Sequence, residues 1–247
     1  MDIIAHRGAS GYAPENTLAS VLTAVKQQVN CIEIDVRLTQ DKVPVICHDA
    51  AINRTSNGVG YIHDLKLEEL KKYDFGLWYS RDFKCERIPT LEEIFILVKD
   101  SDVKINIELK HGPVKVDEFE KIVMGLVYKY SMKERVILSS FNHMSLKKLY
   151  EMDQSLKLAP ILHINLINLG NYLDNLGINI YSIHPNHIYI TESMIEIAQN
   201  RNLKIYTYTV NDIQTAKRYI DMGVDGIITN KPLLLKEYFC NDSKIAN

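Results

Sequence analysis

The chain has 247 residues, 46% hydrophobic and 24% charged, the balance of an ordinary globular protein. Its formal net charge is -2 and no long run of Lys or Arg occurs, which argues against a nucleic-acid partner and leaves any anion to be held by a local cluster. The length suits a (β/α)8 barrel, which takes about 250 residues in one domain, and one core of that size needs no staples.

The first strand-like run, residues 3–6, ends in His6-Arg7-Gly8. Barrel active sites lie at the C-terminal ends of strands. There a histidine can give or take a proton near neutral pH, and an arginine offers a planar fork to phosphate oxygens. Gly8 lets the backbone turn sharply and approach a ligand. Pro14-Glu15-Asn16-Thr17 reads as the start of a helix over 16–29. Asn16 either caps that helix or turns toward the active site, and Glu15 complements the N-terminal dipole.

The run 31–36 alternates. Ile32, Ile34 and Val36 face outward, while Cys31, Glu33 and Asp35 face into the barrel. Two inward acids on one buried strand are costly to ionise without a partner. The run 43–48 follows after only six residues, whereas a parallel crossover needs about a dozen. Residues 36–45 therefore read as a hairpin projecting above the mouth, and the third run closes on His48-Asp49. Residues 50–87, rich in polar turn residues, read as a small insertion after that third strand, either over the active-site mouth or as a surface excursion that merely covers a helix end.

After a helix at 90–99, the run 104–110 repeats the alternation. Asn106, Glu108 and Lys110 face inward. Glu108 is a third carboxylate, and Lys110 a cation that could meet a phosphate. Three carboxylates with waters and substrate oxygens would fill a Mg²⁺ or Ca²⁺ shell. One inward Glu could simply pair with a lysine; two strands both carrying inward charge argue against that. A lone strand-end histidine is more often structural than catalytic, but His6 and His48 flank three inward acids.

Strand-like runs at 136–141, 156–162, 180–184, 204–210 and 226–230 then alternate with helical patterns at 114–130, 142–152, 164–176, 191–201 and 211–222. That alternation predicts a parallel sheet with helices outside. The nine strand-like runs fill eight barrel places once the hairpin is set aside. His63, His111, His143 and His163 fall near element ends and read as exposed. His184 lies at a strand end and could line the pocket. Tyr206 and Tyr208 share one face, either a pocket wall or core. Residues 241–247 read as a frayed tail. No CxxC pair occurs among Cys31, Cys47, Cys85 and Cys240, so no zinc motif or disulfide framework is expected, and Cys31 and Cys47 read as buried thiols. The absence of a signal-like N-terminus or a long apolar window argues against membrane insertion and makes the cytoplasm the expected location.

His6-Arg7-Gly8-Ala9, Pro14-Glu15-Asn16-Thr17, Glu33-Ile34-Asp35-Val36, His48-Asp49, Ile88-Pro89-Thr90-Leu91-Glu92-Glu93, Glu108-Leu109-Lys110, Thr209-Val210-Asn211 and Gly223-Val224-Asp225-Gly226-Ile227-Ile228-Thr229-Asn230 occur in this order. Together they resemble the glycerophosphodiester phosphodiesterase family over nearly the whole chain. The resemblance implies a TIM barrel that hydrolyses small glycerophosphodiesters to glycerol 3-phosphate and an alcohol. It implies His6 and His48 as the acid-base pair and Glu33, Asp35 and Glu108 as ligands of one divalent cation. Arg7 and Lys110 would neutralise the phosphate, with Asn16 and Tyr208 as further substrate contacts. Residues 50–87 match a small family insertion that contributes to substrate shape. Two positions depart from the pattern: Tyr208 stands where the family often has Trp, and His184 where it often has Asn. A lysophospholipase D acting on lipid-sized substrates is the alternative; it would need an apolar groove or an interfacial helix, and no strongly amphipathic basic stretch of that kind occurs. A barrel that only binds phosphorylated ligands or a protein partner would have no use for two histidines beside three inward acids.

Overall fold

Most strands of the barrel are short and rich in β-branched residues, and all but β2, which runs into a hairpin, are followed by a helix. The computed structural model describes residues 1–111 and 118–245, with side chains as far as Phe239. In chain order the elements are β1 (Asp2–His6), α1 (Leu18–Lys26), β2 (Cys31–Leu38), β3 (Pro44–Ile46), α2 (Leu67–Leu70), α3 (Leu91–Val98), β4 (Lys104–Leu109), α4 (Phe119–Lys129), β5 (Val136–Ser140), α5 (His143–Met152), β6 (Leu158–Leu162), α6 (Leu169–Asn175), β7 (Ser182–Pro185), α7 (Glu192–Gln199), β8 (Lys204–Thr207), α8 (Ile213–Asp221), β9 (Gly226–Thr229) and α9 (Pro232–Ile245). Of the helix expected at 114–130, residues 114–117 lie outside the described residues. The expected tail is helical as far as Ile245, and residues 246–247 also lie outside the description.

Eight parallel strands close into a barrel in the order β1, β2, β4, β5, β6, β7, β8, β9, and β1 pairs with both β2 and β9. β3 is the exception: it runs antiparallel to β2, with Val36 opposite Ile46. The five residues between β2 and β3 are too few for a parallel crossover, so the hairpin forms as the spacing requires.

The alternation expected on β2 and β4 sorts residues into two layers. Ile32, Ile34, Ile105 and Ile107 pack outward against Leu91, Ile94, Phe95 and Val123 of the helices. Ile183, Ile205 and Ile227 do the same on the other half. Each such side chain contributes about 1.5–3 kcal/mol when fully buried. Inside the barrel, Ile4, Cys31, Ile137, Ala159, Tyr206 and Ile228 form a plug. The inward positions above that plug are polar, and they form the site described below.

Helix starts are fixed by side-chain caps: Thr17 for α1, Thr90 for α3, Thr191 for α7 and Asp212 for α8. Thr17, not Asn16, therefore caps α1, and Asn16 lies in the left-handed region at φ 57. Residues 50–87 gather around a small core of their own, with Ile52, Ile62, Leu70 and Phe75 packed against Val45, Cys47 and Ile88. Asp74 organises part of that stretch by accepting the backbone N–H groups of Gly76, Leu77 and Cys85. Among the described residues, no helix is long and apolar enough to cross a membrane.

Candidate active site

The C-terminal ends of β1, β2 and β4 bring the inward polar residues together. In the strand register His6 lies opposite Glu33, and Asp35 opposite Glu108. Glu33, Asp35 and Glu108 are buried, at 3%, 1% and 8% exposure. Each can offer an oxygen within 4.8 Å of the other two.

The support of each acid leaves one oxygen over. Glu33 Oε2 accepts the backbone N–H of Arg7 at 2.8 Å, while Glu33 Oε1 has no hydrogen-bond partner. Asp35 Oδ2 accepts the Asn16 amide at 2.8 Å and lies 3.4 Å from Arg7 Nε. Lys110 Nζ stands 3.2 Å from Asp35 Oδ1 and 2.5 Å from Glu108 Oε1, yet neither oxygen accepts a hydrogen bond of good geometry. Orphaned buried oxygens are rare and costly. Three carboxylates facing two cations, each acid with an oxygen that accepts no hydrogen bond of good geometry, fit the donor set that a hard divalent cation requires.

Protonation tells the same story. Burial, then the charge of Asp35, pushes Glu108 up to about 7. The same two causes raise Glu33 well above the usual carboxylate value. Burial works against Asp35 too, but Lys110 and Arg7 hold it below its usual value. A cation needs ionised carboxylates, so its affinity must fall as pH drops through about 7. Mg²⁺ or Ca²⁺ at a hundredfold excess over Kd is expected to raise Tm by about 5–10 °C at pH 8. At pH 5 the gain should be much smaller. An equal or larger gain at pH 5 in a thermal-shift titration would remove the assignment.

The two imidazoles are held by different partners. His6 Nδ1 lies 2.7 Å from Asn230 Oδ1. Donation to that amide oxygen puts the proton on Nδ1 and leaves Nε2 with its lone pair. His48 Nδ1 lies 2.6 Å from Asp49 Oδ1, and Arg37 pins the His48 carbonyl from Nε and Nη2. Burial, followed by the charge of Arg7, brings His6 down to about 4. Burial also lowers His48, but Asp35 and Asp49 pull the other way. His6 is thus set to stay neutral, and His48 is the better placed of the two to carry a proton.

Both imidazoles line one cavity of about 300 Å³, together with Arg7, Glu33, Glu108, Lys110, Asn106, Phe141, His184, His187 and Tyr208. The turn that presents Arg7 needs unusual backbone: Arg7 has φ 57 and Gly8 φ +77. A Cβ on Gly8 would sit 2.7 Å from the Ser20 backbone carbon. The close approach that this glycine permits here is to α1.

Several sequence expectations change in detail. Asn16 is buried beneath the acids and spends its amide on Asp35, so it supports a carboxylate and is absent from the cavity wall. Glu15 pairs with Arg7 and Arg54, a more specific use than complementing a helix dipole. The tyrosine pair splits: Tyr206 is core, donating to Asp2 at 2.7 Å, and Tyr208 lines the cavity. His184 lines it as well, fully buried, with Nε2 2.9 Å from Ser182 Oγ. His111 and His163 are exposed, but His63 and His143 are half-buried. Residues 50–87 contribute nothing to the cavity lining.

Asp49, Asn230, Arg37, Phe141 and His187 were not singled out as site residues from the sequence. Asn230 meets His6 across 224 positions, a contact that only barrel closure creates. Asp49 stood in view beside His48, and its adjacency was the available signal.

The chain is similar to known proteins in sequence and in fold. Residues 6–234 match the model of the glycerophosphoryl diester phosphodiesterase family. A glycerophosphodiester phosphodiesterase of Caldanaerobacter subterraneus is 39% identical over 230 residues, covering 93% of this chain and 94% of the relative. The chain belongs to the glycerophosphoryl diester phosphodiesterase family. It is thus an enzyme, a phosphoric diester hydrolase on a TIM barrel. A family member from Bacillus altitudinis is 33% identical over 234 residues, covering 93% of this chain and 94% of the relative. Among solved structures, a phosphodiesterase of Oleispira antarctica in complex with the product sn-glycerol-3-phosphate superposes with a TM-score of 0.91 at 28% identity, covering 96% of each chain.

Proposed function

We propose that this enzyme hydrolyses glycerophosphodiesters to glycerol 3-phosphate and an alcohol, with His6 and His48 as the acid-base pair beside one divalent cation, Mg²⁺ or Ca²⁺. One observation carries the reading: two differently held imidazoles line the same cavity as Glu33 and Glu108, and these two buried acids and Asp35 beside them each keep an oxygen that accepts no hydrogen bond of good geometry. Glu33, Asp35 and Glu108 would hold the cation, which when bound supplies Lewis-acid polarisation of the phosphoryl oxygens.

The chain's own groups divide the remaining work. Arg7 and Lys110 draw the phosphodiester anion to the floor of the cavity and offset charge that builds on its oxygens. His6, with Nε2 bearing a lone pair, takes the proton of the attacking group, which is either water, giving glycerol 3-phosphate directly, or the substrate's own glycerol hydroxyl, giving a cyclic phosphate that water then opens. His48, protonated on Nε2 and steadied through Nδ1 by Asp49, gives its proton to the departing alcohol. Tyr208 and Phe141 wall the alcohol side, where their rings meet edge to face at 6.3 Å. The whole chain serves as one catalytic domain, and residues 50–87 support the mouth from outside. Free thiols at Cys31, Cys47 and Cys85 fit a cytoplasmic workplace.

The test is a panel of glycerophosphodiesters with choline, ethanolamine, inositol or glycerol as the alcohol, with and without added cation. Cation-dependent release of glycerol 3-phosphate from at least one of them is expected. No release from any would overturn the proposal.

A second reading, a lysophospholipase D acting on lipid-sized substrates, is favoured by one further feature. A second cavity of about 520 Å³ shares Phe141 and Ile161 with the first and continues past Met144, Ile164 and Leu166. An acyl chain would lie along it. Under this reading kcat/KM for lysophosphatidylcholine exceeds that for glycerophosphocholine, and Met144→Asp lowers only the former. The reverse preference, with Met144→Asp silent, leaves the small-substrate reading standing alone.

A further inference from the structure

One residue of the stretch 50–87 touches both sides of the catalytic face. Arg54 donates from Nη1 and Nη2 to Glu15 Oε2 and Oε1 at 2.9 and 2.7 Å, and from Nε to Asp49 Oδ2 at 2.7 Å. Each of these acids spends a contact on a residue of the cavity wall. Glu15 Oε1 accepts from Arg7 Nη1 at 2.7 Å, and Asp49 Oδ1 meets His48 Nδ1 at 2.6 Å. We propose that Arg54 is a positioning residue, tying the phosphate-facing guanidinium of Arg7 and the imidazole of His48 into one rigid frame. The proposal rests on the reading that Arg7 and His48 serve phosphodiester hydrolysis.

The bland account of such a cluster is a surface ion pair, and an exposed pair contributes roughly 0–1 kcal/mol. Three features set Arg54 apart. Its fork is used on three donors at once, and a planar guanidinium so engaged has one orientation. It leaves each acid a way to grip a functional residue: Asp49 binds Arg54 and His48 through opposite oxygens, and Glu15 Oε1 serves both arginines. It also joins segments that the barrel alone does not connect: the loop after β1, the end of the β3 hairpin and the start of the stretch 50–87. Without Arg54, the Asp49 carboxylate, 31% exposed, is free to swing toward solvent and release His48. A misplacement of about 1 Å at a reacting group can cost about 10²-fold in rate.

The experiment measures kcat, KM and Tm with glycerophosphocholine and saturating cation for Arg54→Gln, Arg54→Lys, Asp49→Asn and the Arg54→Gln/Asp49→Asn pair, with His48→Ala as control. Arg54→Gln is expected to lower kcat about 10–100-fold, with a smaller rise in KM because Arg7 keeps its own bond to Glu15 and Lys110 lies outside the linkage. Tm should stay within about 3 °C, because Arg54 is itself nearly half exposed and the more buried Glu15 keeps Arg7 as a partner. The double variant should be no slower than the worse single, since both changes break one linkage. Arg54→Lys should fall between wild type and Arg54→Gln, because one ammonium replaces a fork that served two acids. The inference is overturned by a kcat within twofold of wild type in Arg54→Gln, by losses that multiply in the double variant, or by a Tm drop large enough to account for the lost activity. An inactive wild type or a fully active His48→Ala would instead sink the underlying reading of the site.

Discussion

Replacing His48 with alanine is expected to lower kcat about 10²–10⁴-fold, the usual range for a lost acid-base group, and His6→Ala should do the same. The two losses should differ in pH behaviour. His6 is held neutral by burial and by Arg7, down at about 4, so it is available as a base across the neutral range. His48 is also lowered, by burial first, with Asp35 and Asp49 pulling the other way, and it must carry a proton to act as acid. In the wild type, kcat should therefore fall on the alkaline side as His48 loses its proton. The residual activity of His48→Ala should lose that limb and depend on the pKa of the leaving alcohol, falling most steeply for poor leaving groups. A kcat near wild type in either variant excludes the pair.

Glu108→Gln is expected to move activity and stability in opposite directions. Polarisation by a bound cation is worth several kcal/mol of transition-state stabilisation, so losing a ligand should lower kcat/KM by about 10³-fold or more. In the metal-free protein the sign reverses. Glu108 has a folded value of about 7 against an ordinary 4.5, so stability from its neutral form is complete below 4.5 and lost as pH rises through 7. At pH 8 the full cost of an ionised Glu108 beside Asp35 is present, and the neutral amide removes it. Metal-free Glu108→Gln should thus melt above the metal-free wild type at pH 8 and at about the same temperature at pH 4. Differential scanning calorimetry at the two pH values decides it. A variant that melts lower at pH 8 would mean that Glu108 is a structural partner of Lys110 rather than a ligand held at a cost.

The fold was readable where one residue in two or three is apolar with a fixed period. Ile32, Ile34, Ile105 and Ile107 announce the outward faces of β2 and β4, and the short 36–43 connection excludes a parallel pair there. The inward acids were visible for the same reason, because strand alternation places Glu33 and Asp35 together without any knowledge of tertiary structure. What lay beyond the sequence depends on closure and on turns. Asn230 holds His6 only because β9 pairs with β1. Asn16 reaches Asp35 from a left-handed position that its neighbours Glu15 and Thr17 do not share. Arg54 stands 39 positions from Glu15 in a stretch with no period to read. The tyrosines show the limit of alternation alone: Tyr206 and Tyr208 point the same way, but height along the barrel axis makes one core and the other cavity wall.

The most direct test is to strip the protein of divalent cations and titrate Mg²⁺ or Ca²⁺ back while measuring both bound cation and glycerol 3-phosphate released from glycerophosphocholine. The structure predicts no turnover at the start, then a rate that climbs in step with bound cation and levels at a single ion per chain. Full turnover in the stripped protein, or a rate indifferent to the ion bound, would contradict it.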